Sequence, residues 1–364
     1  GAVTATSTSP GFELAFSSVT IASSSGGVAG AVYAKGTISN SLYLKVFDGS
    51  DITGNTGHVG GVYQKAPDSN TYVSGSTFSG NTGTVSTQEG AGALSVATGS
   101  GSNAFILNST FTNNSTSTSG AGKAYGGAIR TTAGTSAGYY TKVSGSSFVG
   151  NYAEDLGGAV WASGQLKSWY STFQQNSSAH GGGAIGAVGV MNSSNTSYLQ
   201  LNKSTFDQNS TTSGKGGAIN AAVVRGWNST FSGNTSTAGS GAAIYSNTPA
   251  NYSSSIDFFT ISSNTSSTGG AIDTRGALTV RDSIVSGNAS GSTAKDITFT
   301  STNSGQFQLD YSLLSSANSF TAPDSPTANV TGSPSLGSLA SNGGPTKTML
   351  PPGCSPAIDA ADPT

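Results

Sequence analysis

Apolar and polar positions along this chain fall into two short phrases that alternate over most of its length. The first is a Phe or aliphatic residue, two small or polar residues, then Asn. It occupies residues 52–55, 78–81, 111–114, 148–151, 173–176, 206–209, 231–234, 261–264 and 285–288. The second is Gly-Gly-Ala-Ile, as at 126–129, 182–185, 216–219 and 269–272, with looser copies at 60–63, 157–160 and 241–244. Two phrases in fixed order at a period of 24 to 37 residues describe a stacked solenoid rather than a globule.

Within one repeat, Leu278 and Val280 alternate with Thr279 and Arg281, as a half-buried strand requires. An aliphatic residue stands five before the Phe-type position at Val73, Ile106, Val143, Leu201, Ile256 and Val280. Five is odd, so one unbroken strand cannot turn both inward, and a bend must lie between them. Ser sits there, at Ser76, Ser109, Ser146, Ser171, Ser204, Ser229 and Ser283.

Asn closes the phrase because it tolerates left-handed backbone angles and bonds locally to the chain. Stacked upon itself coil after coil, the same Asn can form an amide ladder, here Asn55, Asn81, Asn114, Asn151, Asn176, Asn209, Asn234, Asn264 and Asn288. Phe78, Phe111, Phe148, Phe173, Phe206 and Phe231 are expected to stack likewise inside the core. Gly-Gly relaxes the backbone where the chain approaches itself.

The predicted fold is therefore all-β, a right-handed parallel β-helix of about ten coils and roughly 45–50 Å tall. Abundant Gly and β-branched residues without a 3.6 period argue against helix. The lack of hairpin turns flanking the strands argues against an antiparallel sandwich. Residues 1–45 read as a first coil or cap, 46–290 as the repeat body, and 291–364 as C-terminal coils with a closing segment. Coils longer than the bare 24 or 25 residues carry insertions, around 82–91, 115–125 and 186–198, where recognition is expected.

Charged residues make up only 8% of the 364, against about 25% in an ordinary soluble protein. A surface built of hydroxyls and amides suggests an extracellular or cell-surface setting. The net charge of −2 gives no footprint for nucleic acid. No apolar run is long enough for a transmembrane helix. The single cysteine, Cys354, leaves no disulfide framework or cysteine metal site within these residues. No basic segment followed by an apolar one opens the chain, so a secreted form is expected to be a processed one.

Gly-Gly-Ala-Ile alternating with Phe-x-x-Asn over residues 50–290 resembles the polymorphic outer-membrane proteins of chlamydiae. That resemblance implies an exposed, autotransporter passenger-like β-helix acting as an adhesin. The alternating strands of the family's membrane barrel do not occur among these residues. A second resemblance lies in Leu336-Gly337-Ser338-Leu339, Asn342-Gly343-Gly344-Pro345-Thr346 and Ser355-Pro356-Ala357-Ile358-Asp359-Ala360. These are similar to the closing segment of bacterial choice-of-anchor β-helix proteins. In those the segment runs on to a cysteine-containing ending, so Cys354 is expected either to pair with such a cysteine or to be a free thiol.

Many parallel β-helices cleave polysaccharides, which requires two carboxylates in one cleft or a base with a cation to stabilise the intermediate. The chain has 16 acids and none of the polygalacturonase-like signatures. His58 and His180 read as isolated turn residues. Asp273, Arg275, Arg281 and Asp282 read as a surface ion-pair network, Glu154-Asp155 as an exposed loop, and Asp48 with Asp51 as too few ligands for a cation. No catalytic residue, metal or cofactor is assigned.

The column after Gly-Gly-Ala-Ile reads Arg130, Trp161, Gly186, Asn220, Tyr245 and Asp273, and is expected on an outer face. Trp161, Trp169 and Tyr170 are candidate sugar-stacking contacts, set against packing beneath a loop. Of fourteen Asn-x-Ser/Thr sequons, those at ladder positions should be buried, leaving Asn192, Asn195 and Asn251 as candidate glycan acceptors. The sequence thus reads as a non-catalytic adhesive or structural β-helix, its partner being itself, by end-to-end or lateral association, or extracellular glycans or proteins. The alternative is a carbohydrate-active enzyme, a lyase or hydrolase, working on an extracellular polymer.

Overall fold

A computed structural model of the protein describes residues 1–38, 42–86, 89–97, 101–136, 138–188, 198–300, 306–315, 320–321 and 328–362. Their strands form four long sheets of 12, 11, 12 and 11 strands, with no helix among the described residues. The chain visits the first, second, third and fourth sheet in turn, then returns to the first one coil along. One such circuit is Ile129–Thr131, Thr141–Ser144, Ser147–Val149 and Tyr152–Ala153. The fold is a right-handed parallel β-helix.

The stack is a little taller than the repeat count implied, because both flanks contribute coils. Val3–Ser7 pairs with Val32–Gly36 in the first sheet, and Phe12–Ser17 with Leu42–Phe47 in the second. Residues 1–45 thus hold a first coil and the start of the second. At the other end Ile297–Thr300, Phe307–Asp310 and Leu313–Leu314 extend three sheets without the phrase.

Register places like residues on like. Phe78, Phe111, Phe148, Phe173, Phe206 and Phe231 are fully buried, with successive ring centroids 4.6–4.9 Å apart and planes within 10°. That spacing is the strand separation itself, so each ring rests flat on the next. Ile21 and Ile52 continue the column on one side, Ile261, Val285 and Leu314 on the other. One coil departs from the rule. Phe259 takes the Ser position and stacks on Phe231 at 5.7 Å. Room comes from Gly226, where an added Cβ would lie 2.8 Å from Leu201 Cβ and 3.1 Å from Phe259 Cζ.

The bends are made differently from the expectation. Left-handed backbone does not fall on the ladder Asn but on the residue before it, as at Asn113 (φ 52°), Gln175 (55°) and Gln208 (54°). The same holds one residue before each Ser, as at Asn108 (47°), Tyr170 (54°) and Lys203 (48°). The side chain after each bend then fastens it to the neighbouring coil. Ser76 N–H donates to Ser109 Oγ and Ser109 N–H to Ser146 Oγ, each at 3.2 Å.

Asn does the same more completely. Asn176 illustrates it: its Oδ1 accepts the N–H and the Nδ2–H of Asn151 at 3.0 and 2.9 Å. Its Nδ2 donates to Asn209 Oδ1 at 3.0 Å and to the Phe148 carbonyl at 2.9 Å. An amide offers two donors and two acceptor sites, and here all four are used. The pattern links all nine positions from Asn55 to Asn288. At the end of the ladder, Asn288 Nδ2 donates to the buried carboxylate of Asp296 at 3.0 Å.

The Gly-Gly pair divides its labour. Gly126 has φ 64°, which a side chain resists, while Gly127 has no room for one because a Cβ there would collide with the Gly158 carbonyl of the next coil.

Candidate functional site

The outer faces of the first three sheets differ in what covers them. On the first sheet, the column Tyr63, Arg130, Trp161, Tyr245 and Asp273 is only 6–8% exposed. It is a packed second layer on that outer face, the reading set against sugar stacking in the sequence. Tyr125 stacks on Trp161 with centroids 4.6 Å apart, and the Arg130 guanidinium lies 5.3 Å from the Trp161 ring. Trp161 is therefore taken out of the candidate sugar contacts. Burial pushes the Arg130 guanidinium down to about 10. His58 is held below the usual histidine range by burial and by the Arg130 and Lys65 charges.

Two of the insertions where recognition was expected contribute to this layer. Glu89–Gly90 pairs with Lys123–Ala124 as a small sheet of its own, and Tyr125 follows directly. The described residues of 82–91, together with 115–125, thus join the packing of the stack. The third insertion, 186–198, falls for the most part outside the described residues, as do Asn192 and Asn195. Asn251 is exposed in a left-handed turn at φ 71°.

Along the third sheet runs the C-terminal segment. Thr205 Oγ1 donates to the Lys347 carbonyl at 2.6 Å and Thr346 Oγ1 to the Lys203 carbonyl at 3.0 Å. Further down, Asp362 N–H donates to Asp282 Oδ1 at 2.8 Å. A hollow of about 310 Å³ lies beneath this strap, bordered by Phe258, Thr260 and Pro345. Cys354 is exposed and free.

The charges singled out in the sequence separate. Asp273 lies in the first sheet's buried outer column, whereas Arg281 pairs with Asp257 at 3.9 Å on the second sheet. They do not form one network. Glu154 and Asp155 are bound rather than loose. The Glu154 carboxylate accepts the Thr118 N–H and hydroxyl, which hold it below the usual range. Asp155 accepts the Ala124 N–H at 2.9 Å and sits 3.4 Å from His180 Nδ1 and 3.7 Å from Lys123 Nζ. His180 is therefore not isolated. Among the described residues no group of three His, Cys, Asp or Glu is placed to hold a metal ion.

The second sheet presents the most open chemistry. Trp169 and Tyr72 lie on its strands, with Tyr170 at the bend that follows one and Tyr139 just before another; Tyr72, Tyr139 and Tyr170 are each 38–39% exposed. Its strands set Lys142 beside Lys167 and Trp169 beside Asn202 and Trp227 in register. Lys142 Nζ stands 4.4 Å from the Trp169 ring centroid, and Lys167 Nζ 3.7 Å from that of Tyr140. Near the N-terminal end of the same face, Glu13, Lys45, Phe47 and Tyr72 line a hollow of about 340 Å³. The lysines and Arg225 were missed in the sequence. They occupy the register position just before the inward column of Val143, Ser168, Leu201 and Gly226, and that column can be written out once the register is known.

The model of the Chlamydia polymorphic membrane protein repeat matches residues 170–188, 203–222 and 228–247. The chain carries this repeat. Each polymorphic membrane protein repeat match begins at the second-to-third-sheet bend and runs through the Phe column, the Asn ladder and the Gly-Gly turn. The repeat marks a surface or outer-membrane type of β-helix. No curated protein matches the chain, and no solved structure does. No helix among the described residues is long and apolar enough to cross a membrane.

Proposed function

We propose that this protein is a non-catalytic rod displayed outside the cell, with an adhesive role. The observation that carries this reading is the second sheet's outer face, with its partly exposed aromatic and cationic side chains. Elsewhere the positions that recur from coil to coil are committed to packing: Phe in the core, Asn in the ladder, Gly at the turns. The polymorphic membrane protein repeat supports a surface setting. Labelled protein incubated with cells and with immobilised extracellular matrix tests it. Saturable binding is expected, and absence of binding to every surface offered overturns it.

Self-association is the structural side of the same proposal, since the terminal strands of a β-helix leave backbone groups unpaired. Electron micrographs showing filaments at high protein concentration support it, and particles that stay single rods refute it.

A further inference from the structure

We infer that the outer face of the second sheet, from Thr141–Ser144 to Val224–Trp227, binds an acidic linear polysaccharide laid along the rod. The inference rests on the adhesive reading above and gives it a ligand class. Three observations carry it.

The first is uncompensated charge. Lys142, Lys167 and Arg225 point outward from strands that contain no acid. None of the three forms an ion pair with a carboxylate among the described residues; elsewhere on this sheet Lys45 pairs with Glu13 and Arg281 with Asp257. In a chain with only 30 charged residues and a net charge of −2, such a run of one sign attracts anions. Burial and the neighbouring Lys142 hold the Lys167 ammonium below its usual range, a repulsion that a bound anion would relieve.

The second is the alternation of these cations with aromatic rings. Lys142 lies over Trp169 and Lys167 over Tyr140. Trp169 and Trp227 stand two coils apart in one column, about 10 Å along the axis. A sugar chain presents flat C–H faces for such rings and carboxylates or sulfates for the cations, repeated along one line. A folded acidic protein surface offers no such linear repeat.

The third is a pair of unmet hydrogen-bonding groups in that column. Asn202 is 91% buried and its Oδ1 has no hydrogen-bond partner among the described residues, and neither has the indole N–H of the adjacent Trp169. One is an acceptor and the other a donor, and a single hydroxyl can serve both.

The test is titration with polygalacturonate and with heparin, followed by tryptophan fluorescence. Neutral dextran, polyglutamate and single-stranded DNA serve as comparisons. Binding to at least one acidic polysaccharide is expected, with quenching, and weakening as salt is raised. Lys142→Gln and Lys167→Gln should each weaken it about tenfold. Lys123→Gln, on another face, should leave it unchanged. Trp169→Ala should abolish most of the quenching. Tight binding to polyglutamate or DNA alone, equal binding to dextran, or undiminished affinity in the lysine variants overturns the inference. Should the variants be unstable, the ranking of polymers and the salt dependence of the unaltered protein still decide it. If labelled protein adheres to cells while neither acidic polysaccharide binds, the adhesive reading stands and this inference fails. If neither occurs, both fail.

Discussion

Replacing one Asn in the middle of the ladder tests whether the ladder holds the coils together. Asn176→Ala removes four side-chain hydrogen bonds. Two of the donors left behind, the N–H and one Nδ2–H of Asn151, are in a residue with no solvent exposure. An orphaned buried donor costs about 1–3 kcal/mol, so the loss should be roughly 2–6 kcal/mol, against a total stability on the order of 5–15 kcal/mol. Asn176→Asp should cost as much at neutral pH, because an oxygen then faces the Phe148 carbonyl and Asn209 Oδ1. Burial would raise that carboxyl above its unfolded value. The folded state therefore takes up protons first, and the deficit shrinks as pH falls through the raised folded pKa. The assay is urea unfolding with amide exchange, since a repeat stack can open locally. Gln175→Gly, one residue away at φ 55°, is the control and should be neutral or stabilising by up to about 1 kcal/mol. A loss below about 1 kcal/mol in Asn176→Ala, or an equal loss in the control, would refute the reasoning.

Gly226→Ala should cost about 1–3 kcal/mol by crowding Leu201 and Phe259, and pairing it with Phe259→Leu should recover part of that in a urea melt. Asp296→Ala should orphan the last ladder donor together with the Ser315 N–H and hydroxyl. Faster amide exchange is expected in Ile284–Ser286 and Leu313–Leu314, with none in the coils around Phe78. His58 has a lowered folded pKa, so the unfolded chain takes up its proton first. Stability should then fall as pH drops from about 6.5 toward that lowered value, and His58→Gln should flatten the slope of unfolding midpoint against pH.

The coil was legible because its signals are local and repeated. Phe at position one, Asn at position four and an odd spacing to the preceding aliphatic residue each force a geometry, and stacking multiplies the signal. The left-handed residues were harder to place, since Gln175, Tyr170 and Lys203 carry no propensity for that backbone. Here the stack imposes the conformation on whatever residue precedes the bonded Ser or Asn. The flanking coils were blurred because Ile21 and Leu314 fill the Phe position with ordinary aliphatics and no Asn stands at the fourth position after them.

The outer faces were read least well. Alternation tells that Trp161 leaves the core, but not that Tyr125, 36 residues earlier in the chain, returns to cover it. Covering depends on the path of the insertions, which no period encodes. By the same token Lys142 and Lys167 look like scattered charges until register sets them in neighbouring coils.

The amide column from Asn55 to Asn288 has a consequence of another kind. Every side-chain carbonyl points toward the N-terminal coil, and one N–H of each amide points toward the Asn of the C-terminal one. Dipoles aligned head to tail add, as they do along an α-helix. The positive pole of this column falls at Asn288, where the Asp296 carboxylate sits. The negative pole falls at Asn55, met by the Ser24 N–H. The rod thus has an electrical direction fixed along its axis, and its two ends are not interchangeable. An assembly that joins rods head to tail would bring opposite poles together and inherit a single polarity, whereas head-to-head joining would set like poles against each other.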